Sequence, residues 1–295
     1  MNPTVYANAD ASIVFINSYA SESFDRTSLT DAYSDQLIDN IASNSSNTIV
    51  VIHNAGIRTV DAWIDHPNIT AVIFAGVPGQ ESGNAIADVL YGDVSPSGRL
   101  PFTIARKEED YGALLNSTVD NANRAFPQSD FTEGLYIDYR FFDAHNITPR
   151  FEFGYGLSYT TFSYSDIAIH LLPDANTSPF PSRTVSIVQG GHPELWHELY
   201  RVHVNITNTG SVPGREVAQL YVGIPNSPLK QLRGFERTDV LEVGESMAVE
   251  FALQRRDLSI WNVEVQEWEL QRGRFGVWIG ASSRDVRLSG ELVVG

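Results

Sequence analysis

The chain reads as α/β plus all-β: a partial parallel α/β sandwich followed by an antiparallel β-sandwich. Three observations predict this. Over residues 1–107, apolar runs of strand length alternate with amphipathic stretches, the rhythm of an α/β layer fold. From about residue 161 the apolar period changes to two, the spacing of half-buried strands. The 295 residues, 42% hydrophobic and 19% charged, are enough for about two globular domains.

In the first part, residues 11–16, 47–53 and 69–75 are apolar nearly throughout. Such runs predict strands covered on both faces, hence a parallel sheet. Between them, residues 34–42 place Leu37, Ile38 and Ile41 on one side. Residues 57–64 group Ile57, Val60 and Ile64, and residues 81–90 group Ile86, Val89 and Leu90. All three stretches read as amphipathic helices. Residues 92–107 are turns and a short extended piece. Residues 108–160 lack long periodicity and are rich in Asn, Asp and aromatics. They read as a linker loop that wraps a surface or borders a site.

In the second part, residues 161–170, 200–206, 217–223, 247–253, 274–280 and 286–294 alternate apolar and polar. Seven or so short strands between Gly and Pro turns read as a fibronectin-like sandwich over 161–295. Residues 173–195, with four prolines and Gly190-Gly191, read as an inserted mobile loop.

The formal net charge of −16 disfavours nucleic acid and anionic membranes, which need a basic face. It suits a neutral ligand such as a sugar. With no cysteine, disulfides and thiolate metal or redox sites are excluded. Asn-x-Ser/Thr acceptor patterns stand at Asn44, Asn68, Asn116, Asn146, Asn176 and Asn205; the one at Asn146 runs into Pro149. Their number leans towards a glycosylated secreted protein. Residues 1–6 carry neither a basic start nor an apolar core, so they do not read as a signal peptide. No apolar run is long enough to span a membrane. The expectation is the back end of a longer secreted chain.

Loops that leave the carboxyl ends of parallel strands face the crevice where ligands bind. The first such loop carries Glu22, flanked by Ser21 and Ser23. The second carries His53 and Asn54, and the third, Gly-rich, carries Glu81. Glu22 is the first candidate for proton transfer and Glu81 the second. Each has a plainer alternative. A loop Glu is commonly a solvated charge, a carboxylate in a helix's first turn is favoured by the dipole alone, and a His after a buried strand is commonly structural. The pair Asp25-Arg26 reads equally as a turn-shaping ion pair. Residues 79–83 are not a nucleophile elbow, because Glu81 holds the central position that Ser would occupy. No metal-ligand spacing and no phosphate-cradling loop occur, so neither metal nor cofactor is expected. Tyr136, Tyr139, Phe141, Phe142, Phe151 and Phe153 are candidates for stacking on sugars or for pinning the long loop by packing.

At these residues the chain resembles the C-terminal part of a fungal-type glycoside hydrolase family 3 β-glucosidase. The patches that carry the resemblance are residues 21–29, 79–85 with 88–103, 133–143, and 149–162. The stretch from Gln219 to Phe235 is similar to the family's fibronectin type III-like domain. The resemblance covers essentially the whole chain. It implies retaining hydrolysis of a terminal β-glucosyl residue, with a β-glucoside or cello-oligosaccharide as substrate. It implies the acid/base role for Glu22, with Glu81 as runner-up. It also implies that an N-terminal barrel carrying the aspartate nucleophile and most sugar-binding residues is missing, so the chain alone is expected to be inactive. Many relatives have Ser-Glu-Gly where this chain has Ser21-Glu22-Ser23, and a serine restricts backbone angles that glycine allows. Two other readings compete: a non-catalytic carbohydrate-binding or interaction module, and a truncated product. An uncovered apolar first strand would favour truncation.

Overall fold

The computed structural model describes residues 9–23, 26–115 and 131–295, and it divides into two compact units. The first holds residues 1–93, 102–132 and 145–152. The second holds 94–101, 133–144 and 153–295.

The first unit is built on a three-stranded parallel sheet, β1 (Ser12–Ser18), β2 (Thr48–Asn54) and β3 (Ile69–Phe74), in that order. Helix α1 (Ala32–Ala42) starts at Asp31, whose carboxylate accepts from the Tyr33 N–H at 3.2 Å and from the Ser34 hydroxyl. That hydroxyl is the main cause holding the Asp31 carboxyl below its usual range. The helix buries Ile38 and Ala42. Helix α2 (Ser82–Tyr91) ends at Gly92, which takes the left-handed φ of 83° that stops a helix.

Two expectations are corrected here. Residues 57–64 do not form a helix. The Thr59 N–H donates to the Leu29 carbonyl at 3.0 Å, outside the segment. The segment closes a turn at Val60, whose carbonyl accepts from the Trp63 and Ile64 N–H groups at 3.2 and 3.0 Å. Buried Arg58 pairs with Asp35 at 2.6 Å, which also accepts from the Trp63 indole. The second correction concerns cover. Only β2 is sealed, with Val50, Val51 and Ile52 fully buried. In β1, Val14 and Ile16 are buried, but Ile13 is 43% and Phe15 53% exposed. No residue of β3 or α2 is fully buried.

The second unit is the β-sandwich. One sheet has the order β4 (Phe162–Leu171), β5 (Glu198–Asn208), β8 (Ser246–Gln254). The other has β12 (Val286–Val294), β11 (Gly273–Gly280), β6 (Val217–Gly223), β7 (Gln231–Arg237). A hairpin of β9 (Ser259–Asn262) and β10 (Glu267–Leu270) stands apart. Alternate residues of β5 and β11 meet in the core, where Val202, Ile206, Leu220, Phe275 and Val277 lose all exposure. Strand β6 departs from alternation, since residues 218–222 are all buried. Its outer side is covered by Tyr139 of α3 (Tyr139–Ala144) and by the 153–154 turn. The Tyr139 ring meets Tyr221 edge to face at 5.9 Å and tilts on Phe153 at 4.8 Å. The Gln219 amide donates to the Gly154 carbonyl at 3.0 Å and to Ala281 at 2.7 Å. Gly154 is obligatory there, with φ of 81° and a Cβ that would meet the Gln219 amide at 2.1 Å. Residues 173–195 are tied to the sandwich by Arg255, which donates to the Asn176 carbonyl at 2.8 Å and to that of Ser178.

Candidate functional site

Strand β1 ends at Ser18, and the chain then turns through Ser21, Glu22 and Ser23. Glu22 is exposed, and among the described residues its carboxylate has no hydrogen-bond or ion-pair partner. An open carboxylate is the raw material of an acid/base group. Phe24 and Asp25 lie outside the described residues, so the Asp25-Arg26 pairing is not described. Arg26 donates to the Ile57 carbonyl at 2.7 Å.

The far arm of this loop is held by a residue that sequence reasoning missed. One carboxylate oxygen of Glu108 accepts from the Leu29 N–H at 2.5 Å, the Thr30 N–H at 3.1 Å and the Ser28 hydroxyl. Glu108 lies about 80 positions downstream, in a run of acidic residues with no local signal, so only the fold reveals it. Residues 28–31 are thus held by the Glu108 carboxylate and by the Asp31 cap.

Ser23 has a φ of 69°. For a residue with a Cβ this left-handed conformation costs about 1–2 kcal/mol, which explains the glycine of the resemblance. Ser23→Gly is expected to leave stability level or raise it, by under about 1 kcal/mol, because the relief outweighs the added freedom of the unfolded chain. The β-branched Ser23→Val is expected to lower stability by more than about 1 kcal/mol, because such residues are outliers at positive φ. Thermal unfolding of the two variants reads the order, and a Val at least as stable as Gly would refute the strained loop.

The parallel order puts the ends of β1, β2 and β3 at one edge. Glu22 and Glu81 follow the outer two strands, which stand about 10 Å apart at ordinary strand spacing. Glu81 is exposed and precedes α2, and its carboxylate accepts from the Asn84 amide at 2.6 Å. The His53 ring stacks on Phe15 at 6.2 Å and 15°. Asn54 is buried. Its amide N–H donates to the Gly56 carbonyl, while its Oδ1 lacks a partner among the described residues.

The sugar-stacking candidates divide. Phe142 is fully buried and Tyr139 nearly so, and Phe151 meets Phe74 edge to face at 6.3 Å. These rings pack. Arg150, beside Phe151, grips Asp61 at 2.5 Å and Asp65 at 2.8 Å, and its guanidinium holds the Asp65 carboxyl below the usual range. Of the glycosylation candidates, Asn44 and Asn176 are exposed. Asn68 and Asn205 are half-buried, with amides donating to the Ala42 carbonyl at 2.8 Å and to Asp166 at 3.1 Å. Asn116 lies outside the described residues. Among the described residues no group of three or more His, Cys, Asp or Glu is placed to hold a metal ion. No described helix is long and apolar enough to cross a membrane.

Residues 2–159 match the glycosyl hydrolase family 3 C-terminal domain, and residues 216–283 match a fibronectin type III-like domain. The chain is 56% identical over 294 residues to a protein named "Probable beta-glucosidase M" from Aspergillus flavus, covering 99% of this chain and 38% of that one. It is 50% identical to "Beta-glucosidase cel3A" of Pyricularia oryzae, covering 99% and 37%. The crystal structure of the β-D-glucoside glucohydrolase from Trichoderma reesei superposes with a TM-score of 0.89 at 42% identity, over 98% of this chain and 40% of that one. The chain therefore spans less than half the length of these relatives.

Proposed function

Since the chain belongs to glycosyl hydrolase family 3, we propose that it is the proton-transferring part of a retaining β-glucosidase, with Glu22 as the acid/base. The observation that carries the reading is the exposed carboxylate of Glu22, without a partner among the described residues, on the loop that leaves β1. Glu81 stands second, because Asn84 already engages its carboxylate.

The chemistry takes two steps. Glu22 protonates the glycosidic oxygen as the aglycone leaves, then deprotonates the water that releases glucose. Retention needs a second carboxyl group about 5–5.5 Å away across the sugar ring, to form the glycosyl-enzyme. The family resemblance assigns that aspartate to a barrel that precedes this part. The exposed Ile13 and Phe15 of β1 support a sheet that works covered by further chain. A β-glucoside or cello-oligosaccharide is the expected substrate. Secretion as part of the full-length enzyme is the expected setting, in line with the acceptor patterns at exposed Asn44 and Asn176.

The test joins this chain to the part of the Aspergillus flavus relative that precedes the matched region. The 295-residue chain alone is expected to show no turnover of an aryl β-glucoside, and the joined enzyme to show it. Sustained, Glu22-dependent turnover by the chain alone would overturn the reading. So would an inactive joined protein that folds as well as the relative.

A further inference from the structure

A cavity of about 480 Å³ opens in the second unit between residues 181–196 and the β9–β10 hairpin. Pockets that take small molecules span roughly 300–1,000 Å³. Three of the chain's five tryptophans line it: Trp196, Trp261 and Trp268. Trp196 and Trp261 are each 44% exposed. Trp261 and Trp268 are cross-strand partners, and their rings meet edge to face at 5.8 Å and 74°. The Arg256 guanidinium lies over the Trp196 ring, 4.6 Å from its centroid. Polar lining is supplied by Arg183, Gln266 and Glu267.

We propose that this cavity binds a β-linked glucan chain. A β-glucosyl ring carries its hydroxyl groups around its equator, so its two faces are C–H surfaces. Those faces stack on an indole while the hydroxyls reach side-chain donors and acceptors. Large aromatic surface left open to water is costly unless something covers it. Here the surface is presented rigidly. Arg256 fixes Trp196, the ring pair fixes the hairpin, and the opposite wall is fastened from within. Ser182 N–H donates to Glu194 at 3.2 Å, and the His192 ring bonds the Ser182 carbonyl at 2.9 Å. A preformed platform spares the ordering cost of binding. A polyanionic ligand is disfavoured by the net charge of −16. Residues 181–196 lie between the two matched family regions, 2–159 and 216–283, so neither match assigns this wall a role. Nothing in the binding depends on Glu22.

The test uses the full 295-residue chain. Titration with cellohexaose is expected to give saturable tryptophan quenching, and swollen cellulose to retain the chain. Trp261→Ala and Arg256→Ala are expected to weaken both about tenfold while the chain stays folded, and Glu22→Gln to change neither. Should Trp261→Ala fail to fold, Trp261→Phe and Arg256→Ala carry the comparison, since both leave the hairpin's packing in place. A folded chain without saturable quenching overturns the proposal. So does unaltered affinity in the folded variants, or retention by an apolar resin equal to that by cellulose, which marks an apolar patch only.

Discussion

In the joined enzyme, Glu22→Ala is expected to lower kcat by about 10²–10⁴-fold on a β-glucoside with a poor leaving group, the usual worth of general acid–base catalysis. The loss should depend on the aglycone. An alkoxide leaves only if protonated, so the alkyl glucoside suffers the full effect. An acidic phenol leaves without help, so the first step with that substrate survives and hydrolysis of the glycosyl-enzyme becomes limiting. Azide, a nucleophile that needs no base, should then restore turnover and yield glucosyl azide of retained configuration. The alkaline limb of the kcat/KM profile, which reports the acid of the free enzyme, should disappear. Glu81→Gln is expected to stay within about tenfold of the parent on both substrates, as suits a carboxylate held by Asn84 at the start of a helix. The opposite ranking, with aglycone dependence at Glu81 and none at Glu22, would transfer the acid/base role to the third loop. Uniform small effects at both would refute either assignment.

The sequence made the two periods legible, and with them the layer order. Apolar runs fixed β1, β2 and β3, and alternation found six sandwich strands, because both signals are local. Strand β7 and the β9–β10 hairpin were not legible by period, since β7 has one buried residue and no alternation and the hairpin strands have four residues each. Residues 57–64 carry helical spacing, yet Arg58 and Thr59 are tied to Asp35 and Leu29, far away in sequence. The same limit applies to the site. Glu22 was legible from its position after a buried strand. Glu108 was not, because its three hydrogen bonds are made across about 80 residues of chain. The tryptophan cavity likewise unites residues near 190 with residues near 260, which no window of sequence contains. Strand β1 shows a further reason. Apolarity on both faces marks what a strand is built to meet, and Phe15 stays exposed among the described residues.

Glu216→Leu is expected to cost the second unit about 3–5 kcal/mol, the penalty for breaking a buried ion pair from one side. Arg99 and Glu216 meet at 2.5 Å with side chains only 8% and 6% exposed. The pair is well satisfied on the acidic side, where the same Glu216 oxygen accepts from the Val217 N–H at 2.7 Å. It is poorly satisfied on the basic side. Arg99 adds only long bonds to the Ser97 and Gly98 carbonyls, at 3.3 and 3.2 Å, and its Nε lacks a partner among the described residues. Deleting the carboxylate therefore strands a guanidinium that burial keeps from water. At roughly 2–4 °C per kcal/mol for a body of this size, the unfolding midpoint should fall by about 10 °C. The double variant Arg99→Met, Glu216→Leu should recover most of the loss, since apolar residues of similar volume replace buried ion pairs at little or no cost. Tyr164 gives a second readout. Burial is the main reason its phenol titrates far above the ordinary tyrosine range, and the negative charge of Glu216 adds to the effect. Removing that charge while Arg99 stays should make the phenol easier to ionise, shifting its ultraviolet titration to lower pH. A Glu216→Leu variant as stable as the double variant would mean that the pair adds nothing beyond its packing.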